Sequence, residues 1–178
     1  MADVTITPDT KDWTWVLERP CPECGLDTRS FPREEIPAML RANAAAWRAP
    51  LLAPGATDRS QPDRWSSLEY GCHVRDVFRI FNQRLVLMIN EDGPTFANWD
   101  QDATAVADGY GTQDAGTVGS ELSSAAGELA DTIDRLSAED WTRTGTRSDG
   151  AQFTVETLTR YLIHDPVHHL YDVGVGGA

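Results

Sequence analysis

Ser66-Ser67-Leu68-Glu69-Tyr70-Gly71-Cys72-His73-Val74-Arg75-Asp76-Val77 begins as a helix begins. Ser66 and Glu69 stand three residues apart, the spacing at which a hydroxyl and a carboxylate cap each other's backbone N–H groups. Apolar residues then recur at Tyr70, Val74, Val77, Phe81, Leu85 and Met88, three or four apart, which predicts an amphipathic helix to about Asn90. Upstream, the triplet Ala44-Ala45-Ala46 predicts a helix from about Glu34 to Ala53, with Pro37 tolerated in its first turn. Before it, Pro8, Pro20, Pro22 and Pro32 break up residues 1–32, read as an irregular arm. Downstream, the acidic segment from Glu91 to Gly116 is too long for a tight turn and reads as a crossover or a functional loop. A third helix is expected from Thr117 to Leu136, on the stripe Leu122, Leu129, Ile133 and Leu136. Thr142 to Gly150 is turn-rich, with room for a short irregular strand or nothing regular. A last helix from Thr154 to Gly174 contains Pro166, whose missing N–H leaves the Leu162 carbonyl without its helical partner. The expectation is an all-α chain: arm 1–32, then a four-helix bundle over 33–178 with long crossover connections.

Composition narrows the partners. The 178 residues carry 15 basic and 28 acidic side chains, a formal charge of −13, which disfavours nucleic acid and anionic membranes and leaves a small molecule as the expected partner. The longest apolar run, Leu85 to Ile89, is far short of the roughly 20 residues that span a bilayer. Met1-Ala2-Asp3-Val4-Thr5 has neither region of a signal peptide, so the expected location is cytoplasmic. The three cysteines are too few for a disulfide scaffold.

All four histidines fall on two of the predicted helices: His73 on the second, His164, His168 and His169 on the last. His164 and His168 are four residues apart, about 40° around the helix, so both rings can reach one ion. His169 is rotated by about 140° from His164 and falls on the side read as a core or subunit contact, which leaves a homodimer as one arrangement. His73 sits on the flank of its apolar stripe. If the two helices pack side by side, His73, His164 and His168 converge on a divalent transition metal, zinc first, with nickel or iron as alternatives. Three protein ligands leave a coordination position open for a water or thiol nucleophile.

Trp65 to Val77 and His164-Asp165-Pro166-Val167-His168-His169-Leu170-Tyr171-Asp172-Val173, with Phe96-Ala97-Asn98-Trp99-Asp100, resemble the DinB-like superfamily. The closer likeness is to its branch of mycothiol-dependent maleylpyruvate isomerases and thiol S-transferases. The resemblance covers roughly residues 33–174. It implies a four-helix bundle, metal ligands at His73, His164 and His168, and transfer of mycothiol, as a metal-held thiolate, to a small electrophile. The isomerase's small C-terminal domain has no counterpart before Ala178, which moves the expectation toward plain thiol transfer or another metal-assisted reaction: hydrolysis, isomerisation or elimination. A noncatalytic metal- or ligand-binding bundle is the alternative.

Other residues are placed by position. Glu69 and Asp76 lie about one turn either side of His73 and are candidate general bases or ligand-orienting carboxylates, or else solvated surface groups. Arg160 and Tyr161, a turn before His164, are candidate substrate contacts, as is Trp99 in the long loop. Cys21-Pro22-Glu23-Cys24-Gly25 has the look of half a zinc knuckle, but a closed site needs four ligands and the chain has no second cysteine pair, so it reads as a turn anchoring the arm. Cys72 points about 100° away from His73 and is a poor ligand.

Overall fold

The computed structural model describes residues 6–176, so the first five residues of the expected arm, including the segment read against a signal peptide, and the last two lie outside the described residues. Among the described residues six α-helices form: α1 (Ile36–Ala46), α2 (Arg48–Leu52), α3 (Ser67–Asn90), α4 (Gln101–Ala107), α5 (Ala115–Asp134) and α6 (Val155–Asp172). The four-helix bundle is α1, α3, α5 and α6. α1 and α3 each pack against both α5 and α6, so the bundle closes as a ring with α1 and α3 at opposite corners. Its interior is apolar, with Leu40, Trp47, Leu68, Phe78, Leu85, Leu122, Leu129, Leu158 and Leu162 all fully buried. Burial of such side chains, at about 1.5–3 kcal/mol each, is the main force holding the ring together.

α3 starts as its sequence prescribes: Ser66 Oγ accepts from Glu69 N–H at 3.2 Å, and Glu69 Oε2 accepts from Ser66 N–H at 2.8 Å. α6 is capped by Thr154, whose hydroxyl accepts from Thr157 N–H at 3.1 Å. Pro166 leaves α6 intact as an element, and its own carbonyl accepts a 2.9 Å hydrogen bond from Asn43 Nδ2, tying α6 to α1.

One expectation is corrected, and two segments that the sequence leaves open take definite form. The first helix is two, divided at the buried Trp47, because Pro50 has no N–H to offer the Ala46 carbonyl. The 91–116 segment is structured: strand β1 (Thr95–Phe96), then α4, then a 3-10 turn at Tyr110–Thr112. Asp100 and Asp114 supply the N-caps, each carboxylate accepting from the N–H three residues on. The turn-rich stretch carries β2 (Thr144–Arg147), which pairs antiparallel with β3 (Gln152–Thr154) and parallel with β1. This small sheet fastens the crossover to the end of the bundle. Gly145 in β2 lies against Met88 and Phe96, where a Cβ would stand 2.8 Å from Met88 Cγ. Among the described residues no helix is long and apolar enough to cross a membrane.

The described part of the arm lies along α6. Its 3-10 turn at Thr14–Leu17 packs on that helix, Val16 is fully buried, and Thr28 Oγ1 donates to the Val16 carbonyl at 2.7 Å. Arg160 completes the attachment, with Nη1 donating to the carbonyls of Thr28 (2.5 Å) and Phe31 (3.1 Å).

Candidate metal centre

The four consecutive-face positions 164, 165, 168 and 169 of α6 make two i, i+4 pairs rotated by about 100° from one another. Asp165 and His169 face α3, where they meet His73. One donor atom from each of these three lies within 4.8 Å of the others. His73 Nε2 is 3.3 Å from Asp165 Oδ1 and His169 Nε2 is 3.6 Å from the same oxygen. The His73 and His169 rings stand edge to face, with centroids 4.9 Å apart. His164 and His168 face the arm, where they cluster with Cys21 and Cys24, again within 4.8 Å.

The anticipated grouping of His73 with His164 and His168 is therefore not the one formed. α6 is rotated about its axis by one residue from the orientation that grouping requires. The correction extends to His169, read as a core or subunit contact: its ring lines the cluster. Histidine–histidine spacing does not single out Asp165 and His169, although a carboxylate four residues before a histidine is an equally valid ligand pair.

The His73, Asp165 and His169 set fits a metal ion. Both ring nitrogens of His73 and Asp165 Oδ1 are sealed from solvent without a hydrogen-bond partner, since the 3.3 Å contact between them lacks hydrogen-bond alignment. Buried polar atoms left in that condition cost about 1–3 kcal/mol each unless something else binds them. His169 Nδ1 is 2.9 Å from Asp172 Oδ2, and donation there fixes the tautomer that leaves the Nε2 lone pair facing Asp165. A third of the Asp165 side chain remains exposed, although Oδ1 itself is covered. Burial works to raise the Asp165 pKa, but His73 and His169 outweigh it and hold the carboxyl well below its usual range. Burial likewise opposes the charged form of His169, and Asp165 and Asp172 more than offset it, raising its pKa.

Aromatic rings wall the site. Trp99 stacks on His73 at 5.3 Å with planes 4° apart, and Trp65 lies 5.2 Å away at a tilt. Tyr70 lies 4.8 Å from His169. A small cavity of about 90 Å³ runs along α6 past His164, Asp165, His168 and His169 and is bounded on the other side by Trp13, Gln101 and Tyr161. It shares Asp9, Trp13 and Gln101 with two wider clefts, one of about 680 Å³ between the arm and the α3–α4 crossover and one of about 330 Å³ between the arm, the segment leading into α3 and the end of α6. The larger is rimmed by Asp9, Asp12, Asp100, Asp102 and Asp149 against Lys11 and Arg147, and Arg147 is already paired with Asp149 at 2.8 Å. A separate apolar groove of about 530 Å³ between α2 and α5 lies away from every metal-capable donor.

The remaining predicted residues divide. Tyr161 lines the cavity, and Trp99 both covers His73 and lines the larger cleft. Arg160 is spent on the arm's carbonyls and on Glu156, because its side chain leaves α6 toward the arm. Glu69 is absorbed by its capping box and by Arg59, whose Nη2 donates to Oε1 at 2.6 Å. Asp76 accepts from Arg75 and, at 2.5 Å, from Tyr110 OH, on the α5 side of α3. Neither carboxylate touches a histidine. Cys72 is buried beside the Tyr110 carbonyl, and burial pushes its thiol up to about 12.

Two histidines and a carboxylate presented inside a four-helix bundle beside a cavity make a donor set able to hold a divalent metal ion. The chain belongs to the DinB superfamily, whose family model matches residues 55–173. Among solved structures it is similar to YfiT from Bacillus subtilis, described as a probable metal-dependent hydrolase with an unusual four-helix bundle topology. That likeness has a TM-score of 0.62 at 18% sequence identity, covering 94% of this chain and 89% of the other, and it shows the shared fold. None of the curated proteins matches the chain in sequence.

Proposed function

We propose that the protein is a metal-dependent enzyme that uses His73, Asp165 and His169 as its metal ligands and acts hydrolytically on a small neutral or cationic substrate. The observation that carries this reading is the set of unpartnered buried donors, His73 Nε2 and Asp165 Oδ1 beside His169 Nε2, at the end of a cavity. A divalent transition metal bound there supplies Lewis acidity and a nucleophile activated at neutral pH. Asp172 orients His169, while Trp65 and Trp99 exclude bulk water from His73 and keep its ring from turning. Tyr161 OH, which accepts from Arg147 Nη1 at 3.3 Å, places a phenol at the cavity wall where a substrate's polar group would lie. The acidic rim sets the substrate's charge, since a carboxylate or phosphate ligand would meet four aspartates not balanced by Arg147. Likeness to a hydrolase-type bundle supports water as the nucleophile.

Transfer of mycothiol is the second reading. It rests on the likeness of the segments 65–77 and 164–173 to the thiol-transferase branch. One experiment separates the two. Zinc-, nickel- or iron-loaded protein is assayed on neutral and cationic esters and amides without thiol, and on electrophiles with mycothiol, beside Asp165→Ala. Thiol-independent turnover that disappears in the variant is the expected result. Turnover only with mycothiol replaces hydrolysis by thiol transfer, and equal rates for wild type and variant across the panel refute catalysis at this centre.

A further inference from the structure

We infer that Cys21, Cys24, His164 and His168 form a second metal site, a closed Cys2His2 zinc centre that pins the N-terminal arm to α6. It is distinct from the open cluster at His73, Asp165 and His169 and does not depend on the function proposed for that cluster.

The donor set is complete. A structural zinc site takes four ligands of thiolate and imidazole, and the Cys-x-x-Cys turn supplies two while one face of α6 supplies the others. All four donors are mutually within 4.8 Å before any ion is added. Cys21 Sγ stands 3.6 Å from His168 Nδ1. Zinc bond lengths of about 2.3 Å to sulfur and about 2.0–2.1 Å to nitrogen, at a tetrahedral angle, give an S···N edge of about 3.6 Å.

The surroundings fit a buried ion. Cys21, His164 and His168 are each at most 6% exposed. His164 Nε2 is sealed from solvent and has no hydrogen-bond partner among the described residues. His168 Nε2 lies 3.3 Å from the Glu23 carboxylate, which comes from between the two cysteines and favours the tautomer with a free Nδ1 lone pair. Trp13 covers both imidazoles, 5.3 Å from each. The backbone is shaped for the turn as well: Gly25 N–H donates to the Cys21 carbonyl at 2.9 Å, and Gly25 holds a φ of +76°, which suits glycine.

Binding forms two Zn–S and two Zn–N bonds, and the two thiol protons leave to solvent with no change in oxidation state. The consequence reaches the open cluster, because the arm carries Asp9 and Trp13 to the wall of its cavity.

Cobalt substitution of the full-length reduced protein tests the assignment. Wild type is expected to take up about two cobalt equivalents and to show the intense thiolate-to-cobalt charge-transfer band of a tetrahedral sulfur site. Cys21→Ser/Cys24→Ser is expected to lose that band and about one equivalent, and His73→Ala to lose the other equivalent while keeping the band. A cobalt-loaded wild type without the band overturns the proposal, and that measurement requires no variant to fold. A band that survives in Cys21→Ser/Cys24→Ser overturns it too, by assigning the sulfur ligation to Cys72. Loss of metal in His73→Ala alone reports on the open cluster.

Discussion

Replacing Asp172 by asparagine tests a carboxylate that orients a ligand of the open cluster without itself belonging to it. Asp172 Oδ2 stands 2.9 Å from His169 Nδ1, and only 10% of its side chain is exposed. A hydrogen bond to a charged acceptor in such a place is roughly twice as strong as a neutral one. The asparagine amide keeps the shape, removes the charge and can present NH2 instead of oxygen to the ring, which releases His169 to the wrong tautomer. Loss of a partner of this kind lowers metal affinity by about 10- to 100-fold, or about 1.4–2.7 kcal/mol. The assay is competition for zinc against a chromogenic chelator, in the Cys21→Ser/Cys24→Ser background so that only one site reports. Asp172 Oδ1 also accepts from Arg64 at 3.3 Å, so Arg64→Ala is the control and should bind zinc as its parent does. An Asp172→Asn affinity within about twofold of the parent would show that His169 needs no orienting partner, and the argument from its tautomer would fail.

Three further predictions concern the framework. Ser66→Ala is expected to lower stability by about 1 kcal/mol in urea unfolding, through loss of the α3 cap, with metal stoichiometry unchanged; an unchanged midpoint would show the capping box to be idle. The Glu69 carboxyl feels burial, which raises its pKa, yet Arg59 and the Ser66 N–H hold it below its ordinary 4.5. A carboxyl depressed by folding contributes its full stability above the unfolded value and loses it as the pH falls through the folded one. The stability gap between wild type and Glu69→Gln should thus be full at pH 7 and close in acid; a gap that is constant with pH refutes the ion-pair reading. Gly145→Ala inserts a Cβ 2.8 Å from Met88 Cγ and 3.0 Å from Phe96 Cε1, so overpacking should cost about 1–3 kcal/mol in urea midpoint measurements, and a neutral result would mean the β2–α3 contact is loose.

Much of the fold could be read from local chemistry. The Ser66–Glu69 cap and the apolar recurrence through Met88 define α3 without help from any other segment, and Thr154 does the same for the start of α6. The division of the first helix at Trp47 could have been read from Pro50, and the short helix α4 from Asp100 as a cap. The β1–β2 pairing could not, because a two-residue strand has no periodicity and exists only by contact with a partner distant in sequence.

The metal-capable residues show the same boundary. Helical spacing by itself determined that positions 164 and 168 share one face of α6 and that positions 165 and 169 share another, since rotation per residue is a local property of the backbone. It could not determine which face meets His73. That depends on how α6 is turned about its own axis when Leu158, Leu162 and Ile163 enter the core, a result of packing against α1 and α3 together. Nor could it bring Cys21 and Cys24 to His164 and His168 across 140 residues of chain. That meeting belongs to the tertiary structure, because the arm lies where Arg160, Val16 and Thr28 fasten it, and no short-range pattern records those contacts.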